Sequence, residues 1–194
     1  VQMGLTTSMI GLALGQIFFG PLSDKYGRRP LLLVSMLLFI VSTLFCLFAP
    51  DIYSFVTLRL IQGIAGAGGI VISRSVAIDK FSGKELAKML AVIGAINGVA
   101  PVAAPVIGGL LTGSVGWQGI FMILLFIGIL LGIGCIRFKE SLPAEKRSKT
   151  GVWATFRSFG IIVHNRRYML YVFQLAFAQG ILFAYIASSP FIIQ

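Results

Sequence analysis

The chain has 194 residues, of which 57% are hydrophobic and 11% are charged, and its formal net charge is +10. A chain of this size cannot hide so much apolar surface from water, which excludes an ordinary soluble domain and indicates that lipid is its solvent. In a soluble protein this charge would favour nucleic acid as a partner. Here the cations lie beside apolar stretches, so we expect no nucleic-acid binding.

Six apolar stretches follow one another, each close to the 20 or so residues that span about 30 Å of hydrocarbon. Fifteen of the sixteen Lys and Arg residues lie in three breaks between them, and the intervening breaks hold only Asp51 as a charge. Because cationic loops stay in the cytoplasm, this alternation predicts an all-α membrane protein with six transmembrane helices. The predicted spans are 3–20, 31–48, 53–73, 89–112, 117–136 and 168–187, and the basic breaks are 25–29, 74–88 and 137–167.

The two ends of the chain are expected on the outer side, because the first basic break is inside. A longer parent chain would then have at least one span before Val1. We do not expect residues 3–20 to be a signal peptide, since this stretch is too long for the apolar region of one and leads into a basic turn instead of a cleavage site.

The first basic break, residues 20–30, has the composition of a tight turn between two helices. Pro30 suits the first turn of the next helix, and Gly27 allows a positive φ. Gly20 would let a neighbouring helix approach closely. Asp24 can pair with Lys25, with Arg28 or with a helix N-terminus.

The same break matches the pattern G-x-x-x-D-[RK]-x-G-R-R, which resembles the signature loop of the major facilitator superfamily. In that family the loop joins the second and third of twelve helices. The resemblance therefore implies a major facilitator fold fragment, in which the six spans are helices two to seven and helix one is missing. Taken alone, the break is also compatible with a solvated loop that obeys the positive-inside rule. The residues in register are Gly20, Asp24, Lys25, Gly27, Arg28 and Arg29.

Arg59 is the one cation outside the basic breaks, and it lies near the outer end of the third span. A charge in hydrocarbon costs at least about 2.5 kcal/mol, so we expect Arg59 to face the bundle interior or a water-filled cavity. The alternative is a side chain that snorkels outward. The run Arg59-x-x-Gln62-Gly63-x-x-Gly66 resembles the superfamily's fourth-helix motif, which implies a link of Arg59, Gln62 and Gly63 to proton transfer.

Arg74 and Asp79 lie at the inner end of the same span, within reach of the Arg28 turn if the helices are neighbours. Asp79 is placed to pair with Arg28. In the family such pairs lock the cytoplasmic side of the N-terminal half and bias the outward-facing state. The alternative is an ordinary solvated acid.

The fourth span combines small residues with two prolines four positions apart, on one helix face. Small residues allow a close helix crossing, and prolines kink a membrane helix. The span resembles the fifth-helix motif of superfamily antiporters, with Ala100 and Ala104 where glycines are expected, which leaves the direction of transport open. The residues that carry the pattern are Gly94, Asn97, Gly98, Pro101, Ala104, Pro105, Gly108 and Gly109.

We divide the chain into an N-terminal transmembrane half (1–136), a cytoplasmic central loop (137–167) and the first helix of the C-terminal half (168–194). Residues 151–163 are predicted as an amphipathic helix on the membrane surface, with disorder as the alternative. The Glu-Ser-Leu-Pro run from Glu140, the repeated Ala-Pro of the fourth span and the Ser-Ser-Pro-Phe near the end resemble the Bcr/CflA (bicyclomycin-resistance) drug:proton antiporters.

Enzymatic chemistry is not expected, because the sequence shows no nucleophile with a base, no phosphate-binding loop and no metal cluster. Cys46 and Cys135 are predicted near opposite membrane faces, too far apart for a disulfide. We expect His164 to be an interfacial hydrogen-bonding residue rather than part of a proton relay.

The resemblance implies proton-coupled efflux of drugs or amphiphilic small molecules by alternating access, in a bacterial inner membrane. The proton gradient would be the energy source, with no bound cofactor or metal, and the full-length protein would be a monomer. The proton-carrying acid is expected on the missing first helix. An uptake transporter for sugars or metabolites, and a truncated fragment that does not transport, stay open. Candidate lining residues are Gln16, Asn97, Gln174 and Gln179.

Overall fold

The structure, a computed structural model, describes residues 2–147, Gly160 and residues 163–192. Its long elements are α1 Gln2–Tyr26, α2 Arg28–Leu47, α3 Ile52–Lys80, α4 Gly83–Ile136 and α5 Arg166–Ile192, with a short 3-10 turn at Ala144–Lys146. No strand occurs within these residues. The predicted all-α fold class is therefore confirmed.

Among the residues that the structure describes, five helical segments are long and apolar enough to cross a membrane: Met3–Tyr26, Arg28–Leu47, Ile52–Lys80, Gly83–Leu111 and Val115–Ile136. They coincide with the first five predicted spans. The sixth predicted span lies in α5, a helix of 27 residues that is not one of these five. The three-part division of the chain stays a prediction. The predicted surface helix falls mainly on residues 151–159 and 161–162, which lie outside the described residues.

The helices extend further into the basic breaks than the hydropathy pattern predicts. Only Gly27 separates α1 from α2, and α3 continues to Lys80. Helix hydrogen bonds are internal to the backbone, and Lys and Arg are good helix formers, so a helix does not need to end where the apolar residues end. The predicted place of Pro30, in the first turn of α2, is confirmed.

Asp51 fixes the beginning of α3. Its carboxylate accepts a hydrogen bond from the backbone N–H of Ser54 at 2.6 Å, which satisfies one of the unpaired donors at the helix N-terminus. The same hydrogen bond lowers the pKa of Asp51. The only charge that the sequence places in an outer break is thus a helix cap.

α1 and α3 cross at glycines that leave no room for side chains. A β-carbon at Gly11 would overlap the carbonyl oxygen of Leu60, and one at Gly63 would overlap that of Ser8. A β-carbon at Gly15 would lie 2.6 Å from a carbonyl oxygen of α3. Close backbone approach of this kind is the main source of helix association in membranes. Gly63, predicted only as a proton-coupling candidate, is therefore also a packing residue.

α4 consists of two arms, Gly83–Leu111 and Val115–Ile136. The second arm packs against α2 less closely than α1 packs against α3. A β-carbon at Gly128 would lie 3.3 Å from the ring of Phe39, and one at Gly132 would lie 3.2 Å from Ile40. The first arm, Gly83–Leu111, has no buried residue in its apolar window. The two arms meet at Gly116, which is the non-helical residue of α4, with φ 67° and ψ −179°.

Two predicted close contacts are wrong for the described residues. A β-carbon at Gly20 would have nothing within 4 Å, and the same holds at Gly94, Gly98, Gly108 and Gly109. Spacing along a helix shows which residues share a face, but it does not show whether a neighbour covers that face.

We predict that Gly11→Ala destabilises the bundle by about 1–3 kcal/mol, because the added methyl group forces the α1 and α3 backbones apart. The matched control is Gly94→Ala, whose methyl group meets open space. It should leave stability unchanged or raise it by up to about 1 kcal/mol through helix propensity. SDS-induced unfolding followed by circular dichroism measures both changes. Equal effects of the two substitutions would contradict the observed crossing.

Candidate functional site

Arg28 is the centre of a charge cluster at the end of the bundle where α1, α2 and α3 meet. Its Nη1 donates hydrogen bonds of 2.6 Å to Asp24 Oδ1 and 2.6 Å to Ser23 Oγ, and its Nε donates one of 3.0 Å to Asp79 Oδ2. The Arg28 side chain is only 8% exposed. The predicted Arg28–Asp79 pair is therefore confirmed as a contact. A guanidinium this deeply buried requires such partners.

Glu140, in the segment after α4, binds the first turn of α2. Its Oε1 accepts hydrogen bonds from the backbone N–H groups of Arg28 (2.9 Å), Ser141 (3.0 Å) and Leu142 (3.1 Å), and its Oε2 accepts one from Arg29 (3.2 Å). The residue before α2 is a glycine, which has no side chain for capping. Glu140 therefore supplies the cap from a distant part of the sequence.

The pKa of Glu140 is set by two opposing causes. Burial raises this pKa, but hydrogen bonds from the N–H groups of Leu142, Arg28 and Arg29, together with the charge of Arg147, lower it by more. The guanidinium of Arg147 lies 3.6 Å from Glu140 Oε2. The net result is a lowered pKa, so the carboxylate of Glu140 is ionised at neutral pH while it binds the beginning of α2.

Ser141 joins the two parts of this arrangement. Its hydroxyl donates a 3.1 Å hydrogen bond to Asp79 Oδ2, the same oxygen that Arg28 contacts. We call Asp24, Arg28, Asp79, Glu140 and Ser141 the inner charge cluster. It ties the ends of α1, α2 and α3 to the segment after α4, and Glu140 and Ser141 were not among the predicted site residues.

Gly27 is required by this arrangement for two reasons. Its φ is 103°, in the region that favours glycine. A β-carbon there would also lie 2.5 Å from Glu140 Oε2 and 2.9 Å from Arg147 Nη2. The predicted positive φ is confirmed, and the contact with Glu140 adds a reason that the local sequence does not contain.

The other predicted cations of this region lie outside the cluster. Arg29 Nη2 donates to the carbonyl oxygen of Ile136 at 3.0 Å, and Lys25 Nζ lies 5.2 Å from the ring centre of its neighbour Tyr26. Arg74 is exposed and forms no ion pair within the described residues. Arg74 therefore lies outside the inner charge cluster.

Arg59 belongs to a second polar group, which lies inside the membrane span. Its Nη1 donates to Gln62 Oε1 and its Nε donates to the carbonyl oxygen of Gly4 at 3.4 Å. Gln62 is buried and donates in turn to Thr43 Oγ1 at 2.6 Å. The side chain thus faces the bundle interior, as predicted. Within the part of the chain that the structure describes, no carboxylate forms an ion pair with Arg59.

An apolar cavity of about 580 Å³ opens beside Arg59, between α1, α3 and the second arm of α4. Phe55, Trp117 and Phe121 form its aromatic wall, with edge-to-face rings whose centres lie 5.7 to 6.4 Å apart. The Arg59 guanidinium lies 5.7 Å from the centre of the Phe121 ring. A second cavity, of about 320 Å³, adjoins it through shared residues and is lined by Gln62. Sequence reasoning missed these aromatic residues.

The weaker lining candidates do not take part in this site. Gln16, Asn97, Gln174 and Gln179 are exposed, and none of them lines the two cavities beside Arg59. Pro101 and Ala104 lie on the first arm of α4 and line neither of these cavities, and the side chain of Pro105 lies outside the described residues. His164 is exposed next to the beginning of α5, where Asn165 Oδ1 accepts from the backbone N–H of Arg167 at 3.2 Å.

Membrane-length helices with an arginine half-buried beside an apolar cavity are typical of polytopic proteins that move solutes. Comparison with known families is more specific, because the family model described as Major Facilitator Superfamily matches residues 1–194. The chain belongs to this family of transporters. The family predicted from residues 20–29 is thereby confirmed.

Relatives among curated proteins share the full extent of this chain. It is 39% identical over 197 residues to the uncharacterised MFS-type transporter YdgK of Bacillus subtilis (strain 168), covering 100% of this chain and 49% of that protein. It is 30% identical over 194 residues to a bicyclomycin resistance protein homologue of Haemophilus influenzae, covering 99% of this chain and 48% of that protein. The latter supports the resemblance to the Bcr/CflA subfamily. The chain spans about half the length of the curated relatives it matches.

A solved structure gives the same fold. The human organic anion transporter MFSD10 (TETRAN) superimposes with a TM-score of 0.63 at 25% sequence identity, covering 76% of this chain and 34% of that chain. The chain is therefore a multi-pass membrane protein with part of a major facilitator fold.

We predict that Asp79→Asn destabilises the protein by about 3 kcal/mol, because it removes one of the two anions that neutralise the buried Arg28. Adding Arg28→Met should restore part of the loss, since no buried charge is then left without its partner. Arg74→Gln, an exposed cation of the same helix, is the control and should change little. Unfolding free energies of wild type, the two single variants Asp79→Asn and Arg28→Met and the double variant give the coupling. Strictly additive losses would contradict a direct Arg28–Asp79 interaction.

We predict that the stabilisation by Glu140 depends on pH. Its folded-state pKa lies below the unfolded value of about 4.3, so its contribution is fully present above that pH and is lost as the pH falls through the folded-state pKa. Glu140→Gln should therefore cost about 1–3 kcal/mol at pH 7, and the difference from wild type should shrink below pH 4 or so.

Unfolding midpoints measured from pH 3.5 to pH 8 test this dependence. The exposed Glu145, in the same segment, provides the control Glu145→Gln, which should follow the wild-type curve. A constant difference between Glu140→Gln and wild type across this range would show that the ionised carboxylate is not the stabilising group.

Proposed function

We propose that the chain is part of a proton-coupled exporter of drugs or amphiphilic small molecules that works by alternating access. The bicyclomycin resistance homologue supports export. So does the multidrug transporter MdfA of Yersinia pestis, which is 28% identical over 193 residues, covering 100% of this chain and 47% of that protein. The observation that carries the proposal is Arg59, a membrane-buried cation with neutral described partners in the wall of an apolar cavity.

Arg59 supplies the electrostatic link between proton and substrate. Because its described partners are neutral, its charge acts on any ionisable group that enters the low-dielectric cavity. It favours the ionised form of a nearby carboxylate, and protonation of that carboxylate removes the attraction. We propose that this acid lies outside the described residues, and that proton and substrate compete through it.

The aromatic wall supports amphiphilic compounds as the class of substrate. Phe55, Trp117 and Phe121 offer ring edges and faces, and a cavity of about 580 Å³ is of the size that holds drug-like compounds. Apolar and planar molecules gain most from such a surface. This agrees with amphiphilic compounds rather than with sugars, which need many hydrogen-bonding groups.

The inner charge cluster supports alternating access, because it makes the ends of three helices move as one body. Rocking of one helix bundle against another requires rigid bundles. Arg28 and Glu140 together link α1, α2, α3 and the segment after α4 through charged hydrogen bonds. We propose that this rigid end biases the protein toward its outward-facing state.

The remaining parts of the proposal concern setting and partners. The bacterial relatives support a place in a bacterial inner membrane. The proton gradient is the energy source without a bound cofactor, the partners are protons, small-molecule drugs and lipid, and the full-length protein is a monomer.

A second candidate function is transport of organic anions. The charge of Arg59, which no described carboxylate neutralises, would attract an anionic substrate directly, and the solved structural neighbour is described as an organic anion transporter. In that case the anionic substrate itself would be the partner of Arg59, in place of the proposed carboxylate.

Dye efflux from energised cells that carry the full-length protein tests both functions. With a cationic amphiphile such as ethidium, efflux should collapse when a protonophore is added. Arg59→Ala should lower the initial rate about tenfold, equivalent to a loss of about 1.4 kcal/mol of interaction. Arg59→Lys keeps the positive charge but loses the planar guanidinium with its several N–H donors, so it should retain part of the efflux rate.

The control is Arg74→Ala, which removes an exposed cation from the same helix and should leave efflux unchanged at equal expression. Efflux that ignores the protonophore would contradict proton coupling. Export of carboxyfluorescein but not of ethidium would favour the organic-anion function, and accumulation of dye would favour uptake.

A further inference from the structure

Four exposed cations gather where α2 begins and where α3 and α4 end. The guanidinium of Arg29 lies 3.0 Å from the carbonyl oxygen at the end of α4, and Lys80 Nζ lies 5.3 Å from the centre of the Phe138 ring. Arg137 and Lys139 flank Phe138 in the sequence. We call Arg29, Lys80, Arg137 and Lys139 the basic patch.

Three acids at this end of the bundle, Asp24, Asp79 and Glu140, are already engaged. Asp24 and Asp79 both contact Arg28, and Glu140 contacts Arg147 as well as four backbone N–H groups. None of the four patch cations forms an ion pair with another residue that the structure describes. Arg29 also offsets the partial negative charge of the last carbonyl groups of α4. The patch therefore keeps a positive potential.

The backbone that carries the patch is held in place. The N–H groups of Arg137 and Phe138 donate to the carbonyl oxygens of Gly134 and Cys135, at 3.2 and 3.1 Å, as α4 ends. Three residues beyond Arg137, Glu140 binds the first turn of α2. A fixed arrangement of donors loses little conformational entropy when it binds an anion.

Apolar surface continues directly from the patch along α4. Ile133 and Ile136 are 51% and 59% exposed, although they lie in a predicted span. Such a surface suits an acyl chain, whereas the patch lies at the level of the headgroups. The cations and the apolar surface thus lie next to each other, as the charged headgroup and the acyl chains do in an anionic phospholipid.

We propose that the basic patch binds the headgroup of an anionic phospholipid whose acyl chains lie along Ile133 and Ile136. Phosphate oxygens accept hydrogen bonds from the guanidinium groups of Arg29 and Arg137, and the ammonium groups of Lys80 and Lys139 add charge. The site is independent of the transport that we propose. It differs from the general attraction of basic loops to a membrane because it is confined to these four residues.

Thermal shift of the purified full-length protein in a neutral detergent tests this site. Phosphatidylglycerol should raise the unfolding temperature in a saturable manner, and phosphatidylcholine with the same acyl chains should not. The variant Arg137→Gln/Lys139→Gln should weaken the apparent affinity for phosphatidylglycerol at least about tenfold. Neither side chain forms an ion pair in the described structure, so the fold should be retained.

The control variant is Lys84→Gln/Lys88→Gln, which removes two exposed cations from the beginning of α4. Its affinity for phosphatidylglycerol should change by less than about twofold. Equal losses in the two variants, or no loss in either, would overturn the proposal of a localised site. An equal thermal shift with inorganic phosphate alone would also overturn it, because the patch would then be a site for free anions.

Discussion

The arrangement of the described helices depends on the ion pairs that the buried guanidinium of Arg28 forms with Asp24 and Asp79. A charge this far from water must be neutralised, and its partners come from the end of α1 and the end of α3. Ser141 reaches the same carboxylate of Asp79 from the segment after α4. The requirement for a partner therefore decides where four separate parts of the chain meet. The glycines at the crossing of α1 and α3 let the two helices pack closely, so that Asp24 at the end of α1 and Asp79 at the end of α3 can both reach Arg28.

Much of this arrangement could be predicted from residue types and their spacing. Hydropathy and the distribution of cations located five membrane spans, and the position of Asp79 at the inner end of the third span predicted its pairing with Arg28. These predictions succeed because the cost of a charge in lipid is large and depends little on the details of packing. Helix ends were predicted less well, as the extension of α3 to Lys80 shows. A helix backbone satisfies its own hydrogen bonds, so its end is set by caps and tertiary contacts rather than by the end of an apolar stretch.

The role of Glu140 could not be read from the sequence, because more than a hundred residues separate it from the helix that it caps. Only the folded chain brings its carboxylate to the N–H groups of Arg28 and Arg29. The same limit applies to Gly11 and Gly15, whose importance depends on which helix faces them. It also applies to Gly94, where an added β-carbon would have no described atom within 4 Å.

Gly116 has a consequence for which changes in length the chain tolerates. The two arms of α4 are joined through one non-helical residue, without a loop that could absorb an insertion. One residue more or less in the second arm would turn everything beyond it by about 100° around the helix axis. Trp117 follows at once, and Phe121 lies about one turn later, so a change directly after Gly116 would rotate these two rings of the aromatic wall away from Arg59, whereas Phe55 of α3 would stay in place. In this chain the rotational register of a whole span is therefore set by the dihedral angles of a single glycine.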